Sequence, residues 1–209
     1  MRHGNLPQSL QNFLDLTNTK PAVFIPEEVR DLAEKTAEAF ALPKVFVPLI
    51  SNPVLQLADH EIPTRIYHPA HKKLPLIIYF HGGGHLSGSL DTHDALCRRI
   101  AVTSQAVIAS VGYRLAPEFP YPAGLMDCIA VFEQRVELLK EFQVDTQHVF
   151  LAGDSAGGNL ALSVCHQMKE HGDQAIKGLV LIYPSIDFSM NYESYQRNGE
   201  GFLLTRDKI

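Results

Sequence analysis

Gly153-Asp154-Ser155-Ala156-Gly157 is the stretch on which the reading of this chain turns. It follows the apolar run Val149 to Ala152 and opens the helix-like stretch Gly158 to Lys169. In a strand-turn-helix setting, the two outer glycines of G-x-S-x-G allow a turn too tight for side chains. The serine oxygen then stands clear of the backbone, and the next amide points at the same space. The pentapeptide also arises by chance, so its context decides. A short apolar strand precedes it, a helical pattern follows it, and an extra glycine stands at 158, which makes Ser155 a candidate nucleophile. In this arrangement an acid and then a histidine follow the serine in the chain, yet no histidine occurs after His171.

Outward from the pentapeptide, the rhythm is that of a covered sheet. Leu76 to Phe80, Ala106 to Val111, Val149 to Ala152 and Leu179 to Tyr183 are short, nearly continuous apolar runs, as in parallel strands buried on both faces. Helical candidates lie between them at Asp91 to Thr103, Pro122 to Phe142 and Asn159 to His171. Such alternation predicts an α/β fold, a mostly parallel sheet flanked by helices with right-handed crossovers. Before it, Pro43 to Pro75 mixes short strand-like pieces, Val45 to Ile50 and Glu61 to Tyr67, with turn residues, the pattern of antiparallel strands at a sheet edge. Residues 26 to 40 predict an amphipathic helix: Pro26 suits its first turn, Glu27 and Glu28 its positive end, and Val29, Leu32, Ala33, Thr36, Ala37 and Phe40 recur at helical spacing. The expected division is an amino-terminal helical cap segment, residues 1–45, and a core, 46–209.

A second motif, His81-Gly82-Gly83-Gly84, directly follows the run Leu76 to Phe80. Acyl transfer needs fixed N–H donors aimed at a developing oxyanion, and glycines let the backbone approach unobstructed. Gly83, Gly84 and the Ala156 N–H are the candidate oxyanion donors. A phosphate-cradling loop is the rival, but no Lys-Ser or Lys-Thr follows and the spacing is not G-x-G-x-x-G. His81, at a strand end ahead of the turn, suits bracing the loop better than shuttling a proton.

Composition narrows the partners. Of 209 residues, 45% are hydrophobic and 20% charged, which suits one ordinary domain with a sizeable core. Lys and Arg number 18 against 23 Asp and Glu, a net charge of -5, so no basic field favours nucleic acid or an anionic membrane. The expected partner is a small or neutral molecule. Cys97, Cys128 and Cys165 are odd in number and widely spaced, against both a disulfide framework and a zinc site, and a reducing cytoplasm is the expected compartment. Neither a standard secretion signal nor a membrane span is expected, since the longest apolar runs are strand-sized.

HGGG at 81–84, SLDTHDALCRRIA at 89–101, YRLAPEFPYPAGLMDC at 113–128 and GDSAGGNLA at 153–161, in that order, resemble the hormone-sensitive-lipase family of α/β-hydrolases, in particular its bacterial carboxylesterases. The resemblance runs from about residue 60 onward. It implies an α/β-hydrolase sheet with an amino-terminal helical cap, no metal or organic cofactor, and hydrolysis of small carboxylic esters with short or medium acyl chains. It makes Ser155 the nucleophile, Gly83, Gly84 and Ala156 the oxyanion donors, His81 the support of the oxyanion loop and Asp154 a pocket-wall residue. Arg114, Glu118 and Asp127 are expected to pair and fix a loop rather than to catalyse. His85 departs from the large aromatic or apolar residue usual after the glycines and implies a more polar pocket. His93 and Asp94 read as the start of a helix.

A serine hydroxyl needs an imidazole to take its proton and a carboxylate to hold that imidazole. His166 and His171 ride on the helix after the elbow and would project away from Ser155. The later carboxylates include Asp173, Asp187 and Asp207, but the resemblance implies an acid and histidine further along than residue 209. Thr205 to Ile209 begins like a capped helix, and Leu179 to Ile182 would form a sheet edge. The expectation is therefore a fragment, or the ordered part, of a longer esterase that is inactive as 209 residues alone. Two rivals stand beside it: a hydrolase-fold ligand-binding module without catalysis, and amide hydrolysis through the same serine. The oligomeric state is not set by the sequence.

Overall fold

The computed structural model describes residues 6–17, 25–189, 191–200 and 204. They fall into two compact units, one of residues 42–186 and one of 1–41 with 187–209. The helix expected to begin at Thr205 lies outside the described residues.

The larger unit is built on β1 (Leu49–Ser51), β2 (Val54–Gln56), β3 (Glu61–His68), β4 (Leu74–Phe80), β5 (Val107–Val111), β6 (Val144–Asp154) and β7 (Ile176–Ile182). The sheet order is β1-β3-β5-β4-β6-β7, with β2 paired to β3. β5, β4, β6 and β7 run parallel, while β3 lies antiparallel to β5 and to β1. This is the expected α/β-hydrolase sheet, parallel at its centre and antiparallel at one margin. Its helices are α3 (Asp94–Ser104), α4 (Ala123–Glu133), α5 (Arg135–Leu138) and α6 (Ala156–Glu170).

Side chains alternate along a strand, and both faces here are apolar. Leu76, Ile78 and Phe80 of β4 join Val107, Ala109 and Val111 of β5 and Val149 and Leu151 of β6 in a core with Phe132 of α4 and Val164 and Met168 of α6. Ile77 and Tyr79 face the other way, with Ile108, Ala152 and the α3 residues Cys97 and Ala101. The continuous apolar runs of the sequence are thus two interleaved faces, each with its own helical cover.

Several sequence-based bounds shift. The strand expected at Val45 to Ile50 begins only at Leu49, the first residue with a partner on β3. Val47 is buried against the α3 face without belonging to the ladder. The strand expected at Val149 to Ala152 reaches back to Val144 and forward through Asp154, because β4 pairs as far as Gly153 and β7 as far as Asp154. Helix α6 starts at Ala156 rather than beyond Gly158. The long helix expected at Pro122 to Phe142 breaks at Gln134 into α4 and α5. Arg135 is the cause that the contacts point to: its buried guanidinium lies 4.1 Å over the Phe132 ring and donates to the carbonyls of Phe132 (2.8 Å) and Thr146 (3.0 Å). A buried guanidinium demands such acceptors, so the chain turns to supply them.

The smaller unit holds α1 (Gln8–Thr17), α2 (Pro26–Ala39) and α7 (Glu193–Asn198). Pro26 opens α2, as the sequence predicts, and Phe13 and Phe40 meet edge to face at 5.3 Å. No helix among the described residues is long and apolar enough to cross a membrane.

Candidate active site

Ser155 stands between the end of β6 and the start of α6, with φ 51° and ψ −119°. A left-handed serine in this region costs about 1–3 kcal/mol and persists only where its surroundings hold it. Here the Ser155 amide donates to the Ile182 carbonyl (2.9 Å), and its own carbonyl accepts from the amides of Asn159 and Ser185 (both 3.2 Å). Asn159 Nδ2 closes the clamp on the Ser185 carbonyl at 2.9 Å. Gly157 lets α6 press onto the end of β4: a Cβ there would strike the Phe80 carbonyl oxygen and lie 2.6 Å from that of His81.

The end of β4 delivers the glycine loop to the same place. Gly83 has φ 123°, open only to glycine, and its carbonyl accepts from Leu86 N (3.1 Å), Ser87 N (3.0 Å) and Ser87 Oγ (3.1 Å). With the carbonyls so engaged, the amides of Gly83, Gly84 and Ala156 have no acceptor among the described residues. Unpaired N–H groups beside a strained serine, at the first turn of a helix, form a site that favours negative charge.

His81 is 1% exposed and stacks on the Tyr113 ring at 4.3 Å. Its Nδ1 donates to the Gly82 carbonyl (2.8 Å), and Tyr113 Oη donates to the His81 carbonyl (2.6 Å). Burial pushes its pKa down to about 4, so it is neutral near pH 7.

Asp154 departs from the pocket-wall position expected of it. Its side chain is turned inward, and the residue is 7% exposed. Oδ1 accepts from Tyr79 Oη (2.7 Å) and from the Gly82 amide (2.9 Å). Burial works to raise its pKa, but His93, Tyr79 and the Gly82 amide outweigh it and hold the carboxyl below the ordinary carboxylate range. The reason is topological: β6 runs parallel beside β4, so the residue before Ser155 meets the first residues beyond Phe80. Tyr79 was legible only as one more apolar strand residue. A hydroxyl three positions before the glycines, on a strand buried on both sides, was the signal available for it.

His85 follows the glycines with φ 61°, half-buried, its carbonyl accepting from Ala116 N (2.9 Å). Burial lowers its imidazole pKa. Arg114 and Asp127 pair as expected, with Arg114 Nη2 to Oδ1 at 2.8 Å and Nε to Oδ2 at 3.0 Å. His60, unremarked in the sequence, joins them at 2.8 Å through Nε2. His166 is exposed on α6, 3.6 Å from Glu170, and His171 ends that helix in solvent. Asp173 lies 3.3 Å from Arg135, and Asp187 accepts from Tyr192 Oη at 2.6 Å.

A sequence profile described as the alpha/beta hydrolase fold matches residues 77–209. The chain belongs to the α/β-hydrolase family. Within that family it is hormone-sensitive-lipase-like. It is similar to carboxylesterase NlhH of Mycobacterium tuberculosis, 39% identical over 151 residues that cover 71% of this chain and 47% of the relative. It is also similar to ethyl acetate hydrolase of Pseudomonas putida, 37% identical over 150 residues that cover 69% and 47%. Among solved structures, a hyperthermophilic esterase from the archaeon Pyrobaculum calidifontis superposes with a TM-score of 0.86 at 32% identity, over 96% of this chain and 66% of that one. The α/β-hydrolase chain described here spans about half the length of the two curated relatives.

Proposed function

We propose that this α/β-hydrolase chain carries the nucleophile and oxyanion site of a serine carboxylesterase acting on small esters with short or medium acyl chains. The observation that carries the reading is the strained, backbone-clamped Ser155 beside the unpaired amides of Gly83, Gly84 and Ala156. Ser155 Oγ attacks the ester carbonyl, the three amides receive the oxyanion, and the alcohol leaves an acyl-serine that water hydrolyses. An imidazole held by a carboxylate must take the serine proton. No described histidine pairs with Ser155 Oγ, and the proposal assigns neither group to a residue among the 209. His85 makes the adjoining pocket wall more polar, and His81 supports the loop. The cap, residues 1–45, and the hydrolase core, 46–209, are part of the same proposal. The names of the relatives, a carboxylesterase and an ethyl acetate hydrolase, support esters over amides.

The test is a fluorophosphonate probe applied to the protein from its natural source, followed by peptide mass mapping. The adduct is expected on Ser155 and is absent in S155A. Labelling at another residue, or none in a protein that hydrolyses no model ester, refutes the assignment.

A further inference from the structure

We propose that His93 is a positioning residue for the oxyanion loop: it fixes the plane of the Asp154 carboxylate, which in turn holds the Gly82 amide. The proposal rests on the esterase reading for its consequence in catalysis, but its structural basis stands apart from that reading.

Both short hydrogen bonds to Asp154, from Tyr79 Oη and from the Gly82 amide, end on Oδ1. Two donors on one oxygen fix a point and leave the carboxylate free to pivot about it. The donor on Oδ2 among the described residues is His93 Nε2, at 3.5 Å, and the same nitrogen lies 3.3 Å from Oδ1. A carboxylate only accepts, so Nε2 carries the proton. The contact is at the long end of the hydrogen-bonding range, and its value lies in direction: it sets the plane in which Oδ1 meets Gly82 N. Without it, Oδ2 would be a buried, unpaired oxygen packed against Gly82, and the carboxylate would have reason to turn.

His93 is itself held firmly enough to do this. Its Nδ1 lies 2.8 Å from Thr92 Oγ1, which the Ser89 amide also reaches at 2.8 Å. Its ring packs against those of His81 (5.5 Å) and Tyr79 (6.2 Å). The turn before α3 thereby reaches the end of β6 at Asp154 and, through it, the Gly82 amide. Asp154 is bonded to Gly82 on one side and covalently joined to Ser155 on the other. A shift of its carboxylate moves the hole relative to the nucleophile, and misplacement of about 1 Å can cost roughly 100-fold in rate.

A residue that merely packs at the helix start would behave differently, and two substitutions separate the roles. H93F keeps a ring against His81 and Tyr79 but loses the donor, whereas H93Q keeps a donor and loses the ring. In the natural full-length protein, H93F is expected to lower kcat for a model ester about tenfold with KM within about twofold, and H93Q to restore most of it. Activity kept in H93F and lost in H93Q would overturn the proposal in favour of packing. The second readout needs no catalysis: amide exchange at Gly82 by NMR is expected to quicken about tenfold in H93F and stay near wild type in H93Q. Equal exchange in wild type and H93F overturns the proposal. If the wild-type protein neither turns over esters nor labels at Ser155, the esterase reading fails alone, and Gly82 exchange still decides the role of His93.

Discussion

Tyr79→Phe removes one oxygen from the centre of the molecule. The ring stays in place, since Tyr79 is fully buried between β5 and β6 and packs with Ile108, Cys97 and Ala152. What is lost is the 2.7 Å bond to Asp154 Oδ1. Burial and the neighbouring carboxylate raise the Tyr79 pKa, so the hydroxyl is protonated and donating at every pH of interest. A hydrogen bond to a charged group contributes about 1.5–3 kcal/mol, and Asp154, 7% exposed, has little contact with water from which to replace it. For a chain of this size each kcal/mol moves Tm by about 2–4 °C, so Y79F should lower Tm by about 3–12 °C at pH 7. The pH dependence has a definite sign. Asp154 titrates below its ordinary 3.8 in the fold, so its contribution is complete above 3.8 and is lost as pH falls through its folded value. The gap between wild type and Y79F should therefore narrow on acidification. Thermal unfolding followed by circular dichroism at pH 7 and near pH 3.5 checks both statements. A Tm loss under about 1 °C at pH 7, or a gap that widens in acid, would refute the reading of Asp154 as a charged acceptor.

Gly157→Ala should reduce fluorophosphonate labelling of Ser155 and lower stability by about 1–3 kcal/mol, because its Cβ meets the backbone carbonyls of Phe80 and His81, which cannot swing aside; unchanged labelling and Tm would show that α6 and β4 are not in close register. In an NMR titration the midpoints of His81 and His60 should be displaced in opposite directions from 6.5. Burial lowers His81 to about 4, so its contribution to stability is complete above 6.5 and is lost as pH falls from 6.5 through about 4. His60 is raised, chiefly by Asp127 and then Asp59, against burial and the Arg114 charge, so its contribution is complete below 6.5 and is lost as pH rises through its folded value. H60Q should accordingly lose more Tm at pH 6 than at pH 9, and a His60 midpoint below 6.5 would contradict the ion pairs that surround it.

Two kinds of information about the site lie at different levels of this chain. The tight turns at Gly83 and Ser155 were readable because turn chemistry is local: few residues besides glycine tolerate φ near 123°, and the outer glycines of the elbow mark where α6 must approach β4. The helix at Pro26 and the parallel strands were readable for a similar reason, since periodicity and capping act within one segment. The inward turn of Asp154 was not readable. It depends on β4 and β6 lying side by side, on a tyrosine at an otherwise apolar strand position, and on a histidine from the turn before α3. The break at Gln134 was hidden likewise, since the acceptor at Thr146 that draws Arg135 away is 11 residues distant.

The sequence by itself determined the α/β class, the order of strands and helices, and the tight turns at Ser155 and at the glycines, because backbone freedom and hydrophobic period are properties of neighbouring residues. Only the tertiary structure decided that Asp154 meets Tyr79, Gly82 and His93 and that Tyr113 meets the His81 carbonyl. Hydrogen bonds among buried groups are chosen by which segments the parallel sheet brings within about 3 Å of one another, and no local pattern encodes that choice.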